Sequence, residues 1–212
     1  MESVAWQSAH YEEPFATERR RKFPAKLARL GLDREARSAR ILDTCCGRAD
    51  GLETLREWGF TDLSGLDMTP HPDWKTLPYP IQQGSVMAMP FPDASFDCVT
   101  NFHALHHLEG PQGVAQFLRE CHRVLKPGGR LYIIDFPASP QIMLLFRLFR
   151  LGLYPPTPGL ANFKKIVDEE WSYLLPYLKS WSGVSTALRG GPLKLASWDQ
   201  SFFLYFLRFV KE

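Results

Sequence analysis

The 212-residue chain is predicted to fold as one α/β domain: a doubly wound, mostly parallel sheet with helices on both faces. Three observations predict it. Short apolar runs alternate with helix-length amphipathic ones along most of the chain. Strand, helix, strand in repetition builds a parallel sheet buried on both sides. A chain of this length with 45% hydrophobic and 13% aromatic residues supports one sizeable core, and it is short for two.

Residues 14–31 read as a basic helical segment broken at Pro24, with the run ERRRK at 18–22 as a solvated face. The strands that follow are ARILDT (39–44), TDLSGLD (61–67), PIQQGS (80–85), FDCVTN (96–101) and RLYIIDF (130–136), each a short run of apolar and β-branched residues. GLETLREWGF (51–60) and GVAQFLRECHRVL (113–125) repeat apolar residues at helical spacing and supply crossovers. MTPHPDWKTLPYP (68–80) carries four prolines where another crossover belongs, so an irregular or briefly helical connection is expected. KPGG (126–129) ends the preceding helix and turns into the next strand. Residues 139–159 are strongly apolar, and a Trp- and Tyr-rich helical stretch runs over 163–181. LKLASWDQ and SFFLYFLRFV, together 193–210, form a closing hairpin and bring the strand total to seven.

A net charge of +2 is too mild to demand nucleic acid as a partner. The four cysteines, at 45, 46, 98 and 121, have neither disulfide-framework nor metal-ligand spacing, which fits a reducing, cytoplasmic setting. The first fifteen residues lack the layout of a signal peptide, and no apolar run reaches the roughly 18 residues of a membrane span.

In an open parallel sheet, ligands bind outside the carboxyl ends of the strands, near the point where strand order reverses. Asp43 with Gly47, Asp67, Ser85 and Asn101 stand at four such ends and are expected to share one crevice. The small residues of ILDTCCGRADG (41–51) let backbone approach a ligand, and the helix start beyond them offers N–H groups to an anion. Asp67 is placed to accept hydrogen bonds from ribose hydroxyls, so a nucleoside-containing cofactor is implied. It is not a dinucleotide of the usual kind, because the G-x-G-x-x-G positions counted from Gly47 fall on Ala49 and Leu52.

GSVMAMPFPDASFDCVTNFHALHHL (84–108) followed by RECHRVLKPGGRLYIIDF (119–136) resembles the class I S-adenosylmethionine-dependent methyltransferases, especially their ubiquinone and menaquinone C-methyltransferase branch. The resemblance covers about residues 39–136. It implies a Rossmann-like, seven-stranded sheet with an antiparallel final strand. It also implies one methyltransferase domain divided into an N-terminal helical segment (1–38), a cofactor-binding core (39–136), a lid or substrate-side insertion (137–192) and a closing hairpin (193–212). S-adenosylmethionine is the implied cofactor and S-adenosylhomocysteine the product. Carried over by position, Asp43, Cys45, Gly47 and Arg48 lie along the methionine end, Asp67 binds the ribose, and Met68 covers the adenine. Ser85 and Val86 stand where similar enzymes touch the adenine amine, Asn101 and Phe102 line the floor, and Tyr11 closes over the cofactor. The turn departs from the family's G-C-G-x-G: here it reads Cys45-Cys46-Gly47-Arg48-Ala49, which strains any position needing a positive φ.

His103, His106 and His107 follow the fourth strand, and His103 and His106 are the candidate bases for an acceptor that must lose a proton. No metal is expected there, since adjacent helical residues diverge and the nearby carboxylate is Glu109. The expected acceptor is a small lipophilic or aromatic molecule, walled by the apolar segment 141–153, which also suits a peripheral membrane contact. Rival readings are a cofactor-binding module without catalysis and a protein or RNA methyltransferase. Sequence alone leaves the oligomeric state open.

Overall fold

A computed structural model describes residues 13–155 and 157–212. The order of elements is α1 (Glu13–Leu30), β1 (Arg40–Thr44), α2 (Asp50–Glu57), β2 (Asp62–Asp67), β3 (Ile81–Gln83), β4 (Phe96–Phe102), α3 (Gly110–Val124), β5 (Leu125–Asp135), α4 (Pro140–Arg150), α5 (Pro158–Lys179), α6 (Trp181–Gly190), β6 (Lys194–Gln200) and β7 (Tyr205–Val210). The seven strands form one sheet in the order β3-β2-β1-β4-β5-β7-β6. Pairing is parallel from β3 through β5, and β7 runs antiparallel to both neighbours. Strand order therefore reverses between β1 and β4, the place where such sheets take their ligands.

Alternation along β5 divides the core. Leu131 and Ile133 join one apolar cluster with Phe117 and Leu118 of α3 and Leu174 of α5, while Tyr132 and Ile134 join the other with Leu27 of α1 and Leu52 of α2. A one-residue slip in register would exchange the two sets.

Two elements depart from the sequence reading. Helix α1 runs through Pro24 without a break. Phe23, Leu27 and Leu30 are buried against the sheet, and this packing outweighs the backbone bond that proline removes. KPGG is more than a turn, because β5 begins at Leu125, opposite Phe96, and resumes at Arg130, opposite Cys98. Residues 126–129 bulge between those pairs, with Gly128 at φ 77°. The Gly128 N–H donates to the Lys211 carbonyl and the Lys211 N–H to the Gly129 carbonyl, stitching the bulge to the chain end.

The apolar segment 141–153 also behaves differently from expectation. Ile142, Phe146 and Phe149 form one inward stripe of α4, and Phe163 of α5 packs edge-on against Phe149. Leu144, Leu151 and Leu153 are exposed. Among the described residues, no helix is long and apolar enough to cross a membrane.

Candidate active site

A cavity of about 750 Å³ opens at the carboxyl ends of β1, β2 and β4, between the turn before α2, the proline-rich connection after β2, and α5. Its size suits a drug-sized or cofactor-sized ligand. Asp43, Cys45, Gly47, Arg48, Asp67, Met68, Ser85, Val86, Phe102 and His103 all line it, so ten of the twelve residues selected from sequence come together.

Asp67, at the end of β2, points at the bend. Its Oδ2 accepts the Gly47 N–H at 2.8 Å and its Oδ1 accepts the Thr69 N–H at 2.9 Å. Burial raises its pKa, and those N–H groups oppose the rise. Each carboxylate oxygen retains further acceptor capacity on the cavity side. Asp43, at the end of β1, is buried and takes the Thr100 hydroxyl at 2.6 Å on Oδ1. Burial pushes it up to about 7, with the Asp67 charge adding to the rise against the Thr100 bond. Two acids crowded into one largely buried wall favour a cationic ligand.

The bend fits those acids only because its neighbours are small. A Cβ at Gly51 would sit 2.9 Å from Asp43 Oδ2 and 3.0 Å from Phe102, and one at Gly65 would sit 2.9 Å from Cys46 Sγ. Cys45 and Ala49 carry left-handed φ of 53° and 68°, the strain expected where alanine and cysteine stand in a glycine turn. Burial raises the thiol pKa of both Cys45 and Cys46, leaving small, unreactive filler.

The connection after β2 closes one side. Residues Pro72–Thr76 form a single 3₁₀ turn, and Trp74 Nε1 donates to the Gly47 carbonyl at 2.8 Å. Asp73 stands 3.4 Å from Arg48 Nη2. This matches the irregular connection expected from the prolines; Trp74 itself carried no signal in the sequence beyond its size.

Two sequence choices are corrected. Asn101 does not line the cavity: it is fully buried between strands, where its Nδ2 donates to Thr44 Oγ1 at 3.2 Å. Alternation explains this, because Asn101 and Phe102 point to opposite faces and Phe102 has the cavity side. His106 does not reach the cavity either. It is 1% exposed, with Nδ1 2.8 Å from Asp135 Oδ1 and Nε2 2.7 Å from Glu170 Oε2. Burial alone would lower its pKa; the two carboxylates outweigh that and hold it at about 10. A histidine so held makes a poor base near neutrality.

His103 does face the cavity, in a left-handed conformation at φ 55°, with Lys26 Nζ 3.1 Å from its Nε2. Among the lining residues not selected from sequence are His107, and Glu170 and Tyr173 from α5. Burial and the neighbouring His106 lower His107 to about 4, so it is neutral at physiological pH. The helical wall of the cavity is thus α5, whereas no residue of 141–153 lines it. The expected absence of a metal rested on diverging side chains. In fact the His106 and His107 rings lie 4.3 Å apart and the carboxylate beside them is Glu170, 64 residues from His106. Tyr11 lies outside the described residues.

The chain is similar to known methyltransferases. Residues 42–133 match the methyltransferase domain family. The 2-phytyl-1,4-naphtoquinone methyltransferase of Nostoc punctiforme is 30% identical over 65% of this chain and 63% of its own length. The demethylmenaquinone methyltransferase of Lysinibacillus sphaericus is 35% identical over 55% of this chain and 53% of its own. That of Listeria welshimeri is 29% identical over 86% and 77%. The chain therefore spans less than two thirds of the first two. A S-adenosylmethionine-dependent methyltransferase from Aquifex aeolicus superposes with TM-score 0.62 at 18% identity, covering 97% of this chain and 98% of that one. A protein from Pyrococcus horikoshii does so with 0.66 at 17%, covering 95% and 93%. At that identity the structures speak for the fold alone. In its matched segment and its relatives the chain is similar to S-adenosylmethionine-dependent methyltransferases, and its sheet has their fold.

Proposed function

We propose that this chain transfers a methyl group from S-adenosylmethionine to a small lipophilic acceptor and releases S-adenosylhomocysteine. The observation that carries the reading is the clasp between β2 and the bend: the Asp67 carboxylate is fixed by the Gly47 and Thr69 N–H groups, with the cavity beside it. In this reading Asp67 binds the ribose diol and Met68 and Val86 flank the adenine, with Ser85 at its edge. Asp43 faces the methionine ammonium. Cys45 and Gly47 keep the backbone close, and Arg48 and the N–H groups opening α2 face the methionine carboxylate. The sulfur then looks toward Phe102, His103, His107, Glu170 and Tyr173, a mostly aromatic wall.

The sulfonium carbon is already an activated electrophile, so these residues act chiefly by holding acceptor, carbon and sulfur in line and excluding water. His103 is the cavity-facing candidate for taking a proton from the acceptor. The relatives are named for quinone-ring substrates, which supports an aromatic, lipophilic acceptor. The test is incubation with methyl-labelled S-adenosylmethionine and a panel of naphthoquinols, benzoquinols and simple phenols. Label in the organic extract, matched by S-adenosylhomocysteine release, is expected for at least one. Tight S-adenosylhomocysteine binding with no labelled product across the panel would favour a binding module instead.

A further inference from the structure

The side chains of His106, His107 and Glu170 meet more closely than methyl transfer requires. Their ligand atoms all lie within 4.8 Å of one another. Glu170 Oε2 is 2.7 Å from His106 Nε2 and 4.0 Å from His107 Nε2. Around a tetrahedral dication with bonds of about 2.0–2.1 Å, ligand atoms stand about 3.3 Å apart, between those two distances. Small side-chain shifts would therefore seat an ion.

The surroundings also suit a metal. Asp135 takes His106 twice, with Oδ2 accepting the backbone N–H at 3.0 Å and Oδ1 2.8 Å from Nδ1. That fixes one proton on Nδ1, and an ion taking the place of the Nε2 proton shared with Glu170 would find the carboxylate–histidine support common behind metal-bound imidazoles. A proton shared by His106 and Glu170 would explain that pair. The His107 imidazole stands beside the same carboxylate oxygen, with its ring 4.8 Å from that of Tyr173. The His106 side chain is fully buried, while His107 and Glu170 border the cavity.

We propose that His106 Nε2, His107 Nε2 and Glu170 Oε2 form a three-ligand site for a divalent transition-metal ion, Zn²⁺ by its donor set, whose fourth position opens into the cavity. Two imidazoles and one carboxylate leave room for an outside ligand. An acceptor carrying an acidic hydroxyl, phenolic or enolic, is the class that would fill it. The ion site stands on the side-chain geometry; only its use by the acceptor rests on the methyl-transfer reading.

The test is titration of the whole chain, without cofactor, with Co²⁺ followed by its visible absorption and by displacement with Zn²⁺. One equivalent with the intensity of a low-coordinate site is expected, with about 10- to 100-fold weaker uptake in Asp135→Asn and at least that loss in His107→Gln and Glu170→Gln. His71→Gln, at the separate His71–Asp73 pair, should leave uptake unchanged. Thermal melts establish that each variant is folded, and His107→Gln, at a half-buried position, decides the matter if Asp135→Asn is not. Uptake no tighter than millimolar, or uptake indifferent to His107→Gln and Glu170→Gln, overturns the proposal. Calorimetry with S-adenosylhomocysteine on the same protein separates the two readings: cofactor binding without cobalt uptake removes the metal alone, and cobalt uptake without cofactor binding removes methyl transfer alone.

Discussion

Replacing Asp67 by asparagine changes one oxygen to an NH₂ group at the point where the proposed cofactor site and the fold meet. In the unliganded protein, the two carboxylate oxygens accept the Gly47 and Thr69 N–H groups at 2.8 and 2.9 Å. Asparagine has one acceptor oxygen, so one N–H must face another donor, which costs about 1–3 kcal/mol. For a chain of this size each kcal/mol lowers Tm by about 2–4 °C. In the complex, a ribose diol donates two charge-assisted bonds worth about 1.5–3 kcal/mol each, of which asparagine keeps one neutral bond worth about 1 kcal/mol. The net loss is about 2–5 kcal/mol, or roughly 30- to 5,000-fold in affinity for S-adenosylhomocysteine. Titration calorimetry well below both melting temperatures measures it on folded protein. An affinity within about threefold of the parent, from a variant with a normal melt, would refute the ribose assignment.

Other sites give sharper structural contrasts. Gly51→Ala places a Cβ 2.9 Å from Asp43 Oδ2 and 3.0 Å from Phe102, so a stability loss of about 1–3 kcal/mol and weaker cofactor binding are expected in denaturant and calorimetric titrations. Gly47→Ala meets nothing within 4 Å, and its unliganded stability should fall only by the left-handed backbone cost of about 1–2 kcal/mol. Asp43, raised to about 7, is protonated in the folded chain at pH values where the unfolded chain is ionised. The folded state binds the extra proton, so its contribution falls as pH rises from about 4 to 7 and is flat above. Melts across that range should show a slope that Asp43→Asn reduces. A cationic cofactor should expel this proton, giving a buffer-dependent binding heat near pH 6 that is lost in Asp43→Asn. Trp74→Phe removes the Nε1 donor to the Gly47 carbonyl, costing about 1 kcal/mol, and should raise KM for S-adenosylmethionine more than it lowers kcat.

How far the sequence reached follows from which signals are local. Strand periodicity placed β1, β2, β4 and β6 to within a residue or two, whereas β7 begins at Tyr205, four residues after the run SFFLYFLRFV opens. The strand-end acids were equally legible: a parallel sheet delivers every such end to one edge, so Asp43 and Asp67 had to be neighbours. Asn101 failed at the finest level of that rule, since one residue along a strand exchanges interior for cavity. His106 and His107 could not be told apart in sequence because their difference comes from Asp135 and from Glu170, on a helix more than 60 residues away. Glu170 and Tyr173 carried only helical periodicity within the 137–192 insertion, and the acceptor wall was therefore assigned to its more apolar part, 141–153. Helix α1 crossed Pro24 because Phe23 and Leu27 gain more by burial than the helix loses in one backbone bond, a balance visible only in the packed state.

The most direct measurement is a crystal structure with S-adenosylhomocysteine bound. The account requires both ribose hydroxyls within about 2.5–3.0 Å of the Asp67 carboxylate, the amino acid end against Asp43 and Gly47, and the sulfur facing His103, Glu170 and Tyr173. A ligand seated elsewhere, or an adenosyl group whose ribose turns away from Asp67, would contradict it.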